Sequence, residues 1–279
     1  MVSLNENKIL LYYIMPKKQE KKPDYRIYPI RKEDEFNKID RELPPPFSTM
    51  LEKGGANIAI FAPPGSGKSN VISNWLLSDS YFKDLFDAGL YYISPTAESD
   101  LTSVHLRKYA DFVETQYSEA LLGGIFDNIM SIPAGDRAMS CILLDDCLGS
   151  IKQHSIMNKV CSAVRHMKSI IIFSLQAVKG LPPSIRSCVT TSVIFYQPSA
   201  KQMKDLIEMH SAMGGEENFM QAYTKATSIP YGFLMCCWRD IAMYAAGGDR
   251  NEPELLWKLR DENGNISKGM ESITKPMTE

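Results

Sequence analysis

Short apolar runs alternate along this chain with stretches of helical periodicity. The runs at 57–62, 90–94, 139–145, 169–175, 191–196 and 231–238 read as strands, and the patterns at 68–77, 118–130, 154–165, 200–213 and 217–225 read as helices. This alternation predicts an α/β fold, with a mainly parallel sheet and helices on both faces. No internal repeat appears. Gly214-Gly215 and Gly247-Gly248 mark late turns, expected as loops that face the substrate.

Both ends lose the pattern. Residues 1–46 form a basic extension carrying Lys17, Lys18, Lys21, Lys22, Arg26, Arg31 and Lys32, and Pro44-Pro45-Pro46 is expected to act as a stiff spacer. A solvated tail is the simpler reading of the extension, with a DNA-binding or docking arm as the alternative. Met15-Pro16-Lys17-Lys18 resembles a translation start, which would make the preceding residues a gene-model artefact. Residues 47–250 form the expected domain, and 251–279 read as a short helix followed by a loose tail.

Composition refines this picture in three ways. The length of 279 residues suits one α/β domain with short extensions. A net charge of −2 argues against a static nucleic-acid coat, so any DNA contact must come from local loops, repeated around an oligomer. The six cysteines lie in or beside apolar runs without a C-x-x-C pair, which reads as buried reduced thiols in a cytosol-like compartment and not as zinc ligands. No apolar run approaches the ~20 residues needed to span a bilayer, and the run 9–15 is followed by no small-residue cleavage site.

Chemistry enters at Ala62-Pro63-Pro64-Gly65-Ser66-Gly67-Lys68-Ser69, a phosphate loop of the Walker A type between a strand and a helix. Gly65 and Gly67 let the backbone wrap close to phosphate oxygens, and a helix N-terminus follows. Lys68 is placed to neutralise the β and γ phosphates of ATP, and the Ser69 hydroxyl to ligate Mg2+. Ala62 stands where a first glycine is expected, and it is small enough to be tolerated.

Cys141-Ile142-Leu143-Leu144-Asp145-Asp146 has the form of a Walker B strand, an apolar run delivering carboxylates to its carboxyl end. Asp145 is expected to hold hydrated magnesium, and Asp146 to orient the water that attacks the γ-phosphate. An Asp-Asp helix cap is the structural alternative. Ile170-Ile171-Ile172-Phe173-Ser174-Leu175-Gln176 offers Gln176 as a sensor of the γ-phosphate and that water, against the alternative of a glutamine opening a surface loop. Arg165 and Arg186 are candidate arginine fingers reaching a neighbouring subunit's nucleotide, against the alternative of a solvated or structural arginine, with Arg186 slightly favoured.

The phosphate loop, Ile93-Ser94-Pro95-Thr96, Leu143-Leu144-Asp145-Asp146, Arg165-His166 and Phe173-Ser174-Leu175-Gln176 follow one another in order. Over roughly residues 50–245 this series resembles the genome-packaging ATPases of nucleocytoplasmic large DNA viruses, poxvirus-type enzymes with virophage relatives, in the FtsK–HerA superfamily of DNA pumps. The resemblance implies a RecA-like P-loop NTPase core, dependence on ATP and Mg2+, and a homo-oligomeric ring of five or six subunits. It further implies translocation of double-stranded DNA into a preformed capsid, with capsid or portal-like proteins as partners. The expected location is the host cytoplasm, a viral factory or the virion. A P-loop switch or scaffold with little turnover is the competing class, and a small-molecule kinase the weaker third.

Overall fold

The structure is a computed structural model and describes residues 43–52, 54–147, 151, 155–260 and 264–266. The basic residues of the extension and most of the expected tail lie outside the described residues. A nine-stranded sheet runs through the molecule in the order β3-β2-β4-β5-β1-β6-β7-β8-β9. Its strands are β1 Ala56–Phe61, β2 Leu90–Ile93, β3 Phe112–Glu114, β4 Ser140–Asp145, β5 Ser169–Leu175, β6 Thr191–Phe195, β7 Gly232–Cys237, β8 Ala242–Gly247 and β9 Glu254–Lys258. The pairings from β3 to β6 are parallel, while β7, β8 and β9 add antiparallel to the β6 edge.

Parallel strands covered on both faces carry apolar residues at every position, and β1 shows why. Ile58 and Ile60 point into one layer, with Phe47, Met50, Trp75 and Phe82. Ala59 and Phe61 point into the other, with Phe126, Met157, Ile185 and Phe219. Helices α1 (Phe47–Glu52), α2 (Lys68–Leu77) and α3 (Val104–Tyr109) cover the first face. The second carries α4 (Glu119–Ser131), α5 (Ile156–Ser162), α6 (Val164–Met167), α7 (Pro183–Arg186), α8 (Ala200–His210) and α9 (Gly215–Ala226).

Three local expectations change. The helix expected over 154–165 is divided, because Ala163 leaves helical geometry between α5 and α6. The proline run is no free spacer. Pro46 is buried, and the Pro44 carbonyl accepts N–H bonds from Phe47 and Ser48 to start α1. The short C-terminal helix is overturned: residues 254–258 form β9, paired with β8, with Leu256 and Trp257 wholly buried. The glycine turn before α9 belongs to the same packing, since a Cβ on Gly214 would lie 2.8 Å from the Trp257 ring.

One buried base makes this core sensitive to acid. His210 at the end of α8 is stacked on Phe219 and Trp238, with centroid separations of 5.4 and 5.6 Å. Its Nδ1 meets the Leu206 carbonyl at 2.8 Å, and its Nε2 has no partner among the described residues. Burial pushes its pKa down to about 4. Between that value and the unfolded value near 6.5 the unfolded chain binds the extra proton, so stability falls as pH drops through this window. The full shift corresponds to about 3 kcal/mol. Urea midpoints measured from pH 7 to 4.5 should fall steeply in the native sequence and less steeply in His210→Phe; parallel slopes would contradict the assignment.

Candidate nucleotide site

The parallel order brings the carboxyl ends of β4, β5 and β1 side by side, and the motifs meet there. Ala62 continues β1 by donating its N–H to the Leu175 carbonyl at 2.9 Å, so Gln176 is the next residue beside the start of the phosphate loop. Asp146 likewise donates to the Ser174 carbonyl at 3.3 Å. The strand bearing Gln176 therefore lies between the loop strand and the acidic strand, as the order of motifs predicts. Gln176 itself is exposed and faces solvent at this edge.

Within the loop Gly65 and Gly67 both take left-handed backbone, with φ of 77° and 94°. A side chain at either would strain the turn. Ser66 N–H bonds the Pro63 carbonyl at 3.3 Å, and Gly67 stands at the N-cap of α2, whose first residue is Lys68. The dipole of this helix end favours an anion.

Lys68 reaches across to the acidic strand. Its Nζ lies 2.7 Å from Asp146 Oδ2 and 3.4 Å from Asp145 Oδ1. Asp145 is buried, with 7% of its side chain exposed, whereas Asp146 turns outward at 30% with φ of 53°. Burial raises Asp145 above the ordinary carboxylate value; the Lys68 charge works against that rise and the Asp146 charge adds to it. Such a carboxylate requires a cation beside it.

The donors present fit magnesium. Mg2+ at phosphate sites takes one or two carboxylates together with the substrate's phosphates. Asp145 supplies such an oxygen, and Ser69, next to Lys68 in the first turn of α2, carries a hydroxyl that would supply another. There is space for phosphates, since nothing lies within 4 Å of a Cβ built on Gly65.

Two predicted residues are not brought to this centre. Arg165 is exposed on α6, which leads into the amino end of β5. Arg186 ends α7, ahead of the amino end of β6, and lines a cleft with Asp205 and Trp238. Both stand toward the amino ends of the strands, opposite the phosphate loop at the carboxyl ends.

Other residues of the site carry no sequence motif. Gln197, just past β6, is buried and donates Nε2 to the Phe61 carbonyl at 3.1 Å, bracing the last residue before the loop. Asp100 senses the Lys68 charge. Burial alone would raise this carboxyl, but bonds from Ser103 and Thr102, with a smaller contribution from Lys68, hold it below its ordinary value. Tyr231 packs its ring on Gly67, where a Cβ would lie 3.0 Å from Cδ1.

No family model matches the sequence. The uncharacterized protein 075L of Invertebrate iridescent virus 6 is 23% identical over 190 residues, spanning 65% of this chain and 70% of that protein. Among solved structures, B204, the DNA-packaging ATPase of Sulfolobus turreted icosahedral virus, superposes with a TM-score of 0.52 at 16% identity, over 68% of this chain and 96% of that one. The genome packaging NTPase B204 of Sulfolobus turreted icosahedral virus 2, in complex with ATP-gammaS, gives 0.51 at 16% identity, over 69% and 97%. The chain has the α/β P-loop fold of which these two viral packaging enzymes are solved examples.

Proposed function

We propose that this protein is an ATP-driven translocase of double-stranded DNA that packages a viral genome into a preformed capsid. One observation carries the reading: Lys68 of the phosphate loop is held by Asp146 and Asp145 at the end of β4, at 2.7 and 3.4 Å, and Gln176 follows β5, the strand between β4 and β1. A loop that only bound nucleotide would have less need of this water-positioning set. The likeness to the B204 packaging enzymes supports the DNA-pumping half of the reading.

In the mechanism, arriving phosphates draw Lys68 away from Asp146, since a polyphosphate offers more negative charge than one carboxylate. Magnesium bound by Ser69, Asp145 and the phosphates would neutralise charge on the transferring group. Asp146, released from Lys68, accepts a hydrogen bond from the attacking water and polarises it. Gln176, at the neighbouring strand end, donates its amide to the γ-phosphate and registers its loss. Subunits form a ring in which Arg186, or Arg165 in its place, reaches the neighbour's nucleotide; their position away from their own loop suits a contact made in trans. Capsid or portal-like proteins are the docking partners, in the host cytoplasm, a viral factory or the virion.

A chain of net charge −2 has little long-range pull on DNA, so a ring must place several basic loop residues on one duplex. Affinity then falls steeply with salt through counterion release. Steady-state ATP hydrolysis should rise on addition of long duplex DNA of any sequence, and the stimulation should fade as salt is raised. Turnover indifferent to DNA at every salt concentration would defeat the translocase reading in favour of a switch.

A further inference from the structure

A cleft of about 500 Å³ opens beside the phosphate loop on the β6 side, between Pro63–Ser66 and the segment 227–231 that joins α9 to β7. We propose that this cleft receives the base of a nucleoside triphosphate through stacking alone, so that the site accepts purine nucleotides with little discrimination between adenine and guanine. The inference rests on reading the loop as a triphosphate site.

Topology gives the direction. The reacting end of the triphosphate must face Asp145 and Asp146 on β4, and β1 lies between β5 and β6. The nucleoside end therefore points to the β6 side, where the cleft lies. Two aromatic side chains are presented there: Tyr196 is 63% exposed and Tyr231 62%, whereas most other aromatics among the described residues fill the two cores. Tyr231 also touches Gly67, which makes the cleft continuous with the loop.

The polar inventory decides selectivity. Thr227 and Ser228 line the cleft, but their hydroxyls donate to the Tyr223 and Lys225 carbonyls at 2.8 and 2.9 Å, capping α9. Among the described residues the Ser66 Oγ is buried without a partner, a lining hydroxyl of the loop left to meet a ligand. Among the described residues, no amide, carboxylate or guanidinium side chain lines the cleft. A site built on hydrogen bonds to a base rejects the wrong one by large factors, whereas apolar and aromatic walls separate similar ligands weakly. Every base has a π face, so stacking tolerates all of them.

The test is equilibrium binding to the full chain of hydrolysis-resistant ATP and GTP analogues and of inorganic tripolyphosphate. The two nucleotide analogues should bind within about tenfold of each other. Tyr196→Ala should weaken both by roughly 5- to 150-fold, the worth of one base–aromatic stack, while tripolyphosphate binding stays within about twofold. Tyr196→Phe should restore nucleotide affinity. The exposure of Tyr196 protects the fold from the truncation, and an unchanged melting temperature checks it. A preference above about a hundredfold for one purine, or Tyr196→Ala binding nucleotide as the native chain does, overturns the proposal. If tripolyphosphate binds and Lys68→Ala abolishes it, yet nucleotides bind no tighter than tripolyphosphate, the base cleft alone is overturned. If neither nucleotide nor tripolyphosphate binds, the phosphate-loop reading fails and the proposal with it.

Discussion

Lys68→Ala is expected to lose ATP hydrolysis by at least about 10²-fold, because it removes a preorganised charge aimed at the transferring phosphate. The same substitution leaves Asp145 buried without its countercharge, since Lys68 is the cation that opposes its desolvation. An uncompensated buried carboxylate takes up a proton in preference to remaining charged. The variant should therefore stay folded but melt at a lower temperature. Hydrolysis rates and melting curves with and without magnesium-ATP check both halves. Near-normal turnover in a folded Lys68→Ala protein would remove Lys68 from the site.

The two adjacent carboxylates should separate in their effects. Asp146→Asn keeps the shape but weakens polarisation of the attacking water, so it should hold ATP and slow hydrolysis by about 10²–10⁴-fold. Asp145→Asn should lose magnesium affinity as well as turnover. It should also stabilise the protein in the absence of nucleotide. The folded-state pKa of Asp145 is raised, so its protonated form is favoured by folding, and the stability this gives is lost as pH rises through the folded value. At neutral pH the charged form is a burden, and an uncharged amide relieves it. Lys68 keeps its 2.7 Å partner in Asp146, so no new unpaired cation results. Magnesium binding by calorimetry, paired with a melting temperature above that of the native chain, would bear this out. Two variants that bind magnesium-ATP equally and turn over normally would leave the acidic pair a structural feature.

The centre of this site was legible in the sequence because its chemistry is local. Loop, acidic strand and Gln176 each occupy consecutive residues, and a parallel sheet aligns their carboxyl ends without further information. The outer parts of the sheet were less legible. β8, Ala-Met-Tyr-Ala-Ala-Gly, carries small residues in place of a β-branched run, and β3 spans only three residues. Leu255-Leu256-Trp257 is too short for periodicity to separate a strand from a helix, and only pairing with β8 decides it. The arginines show a different limit: Arg165 belongs to the Arg165-His166 motif and Arg186 follows the strand of Gln176, but neither signal says which end of the sheet the residue occupies. The base cleft is non-local altogether. Pro63, Tyr196 and Tyr231 meet only through the β1-β6-β7 order, and along the chain the two tyrosines read as ordinary strand ends.

The most direct test of the central claim is movement along DNA. A long duplex carrying a third strand bound near one end reports a motor by displacement of that strand. With magnesium-ATP the protein should release the third strand at a rate that grows with ATP concentration, and the Lys68→Ala protein should release none. Vigorous DNA-stimulated hydrolysis by the native chain with no release at any duplex length would contradict translocation.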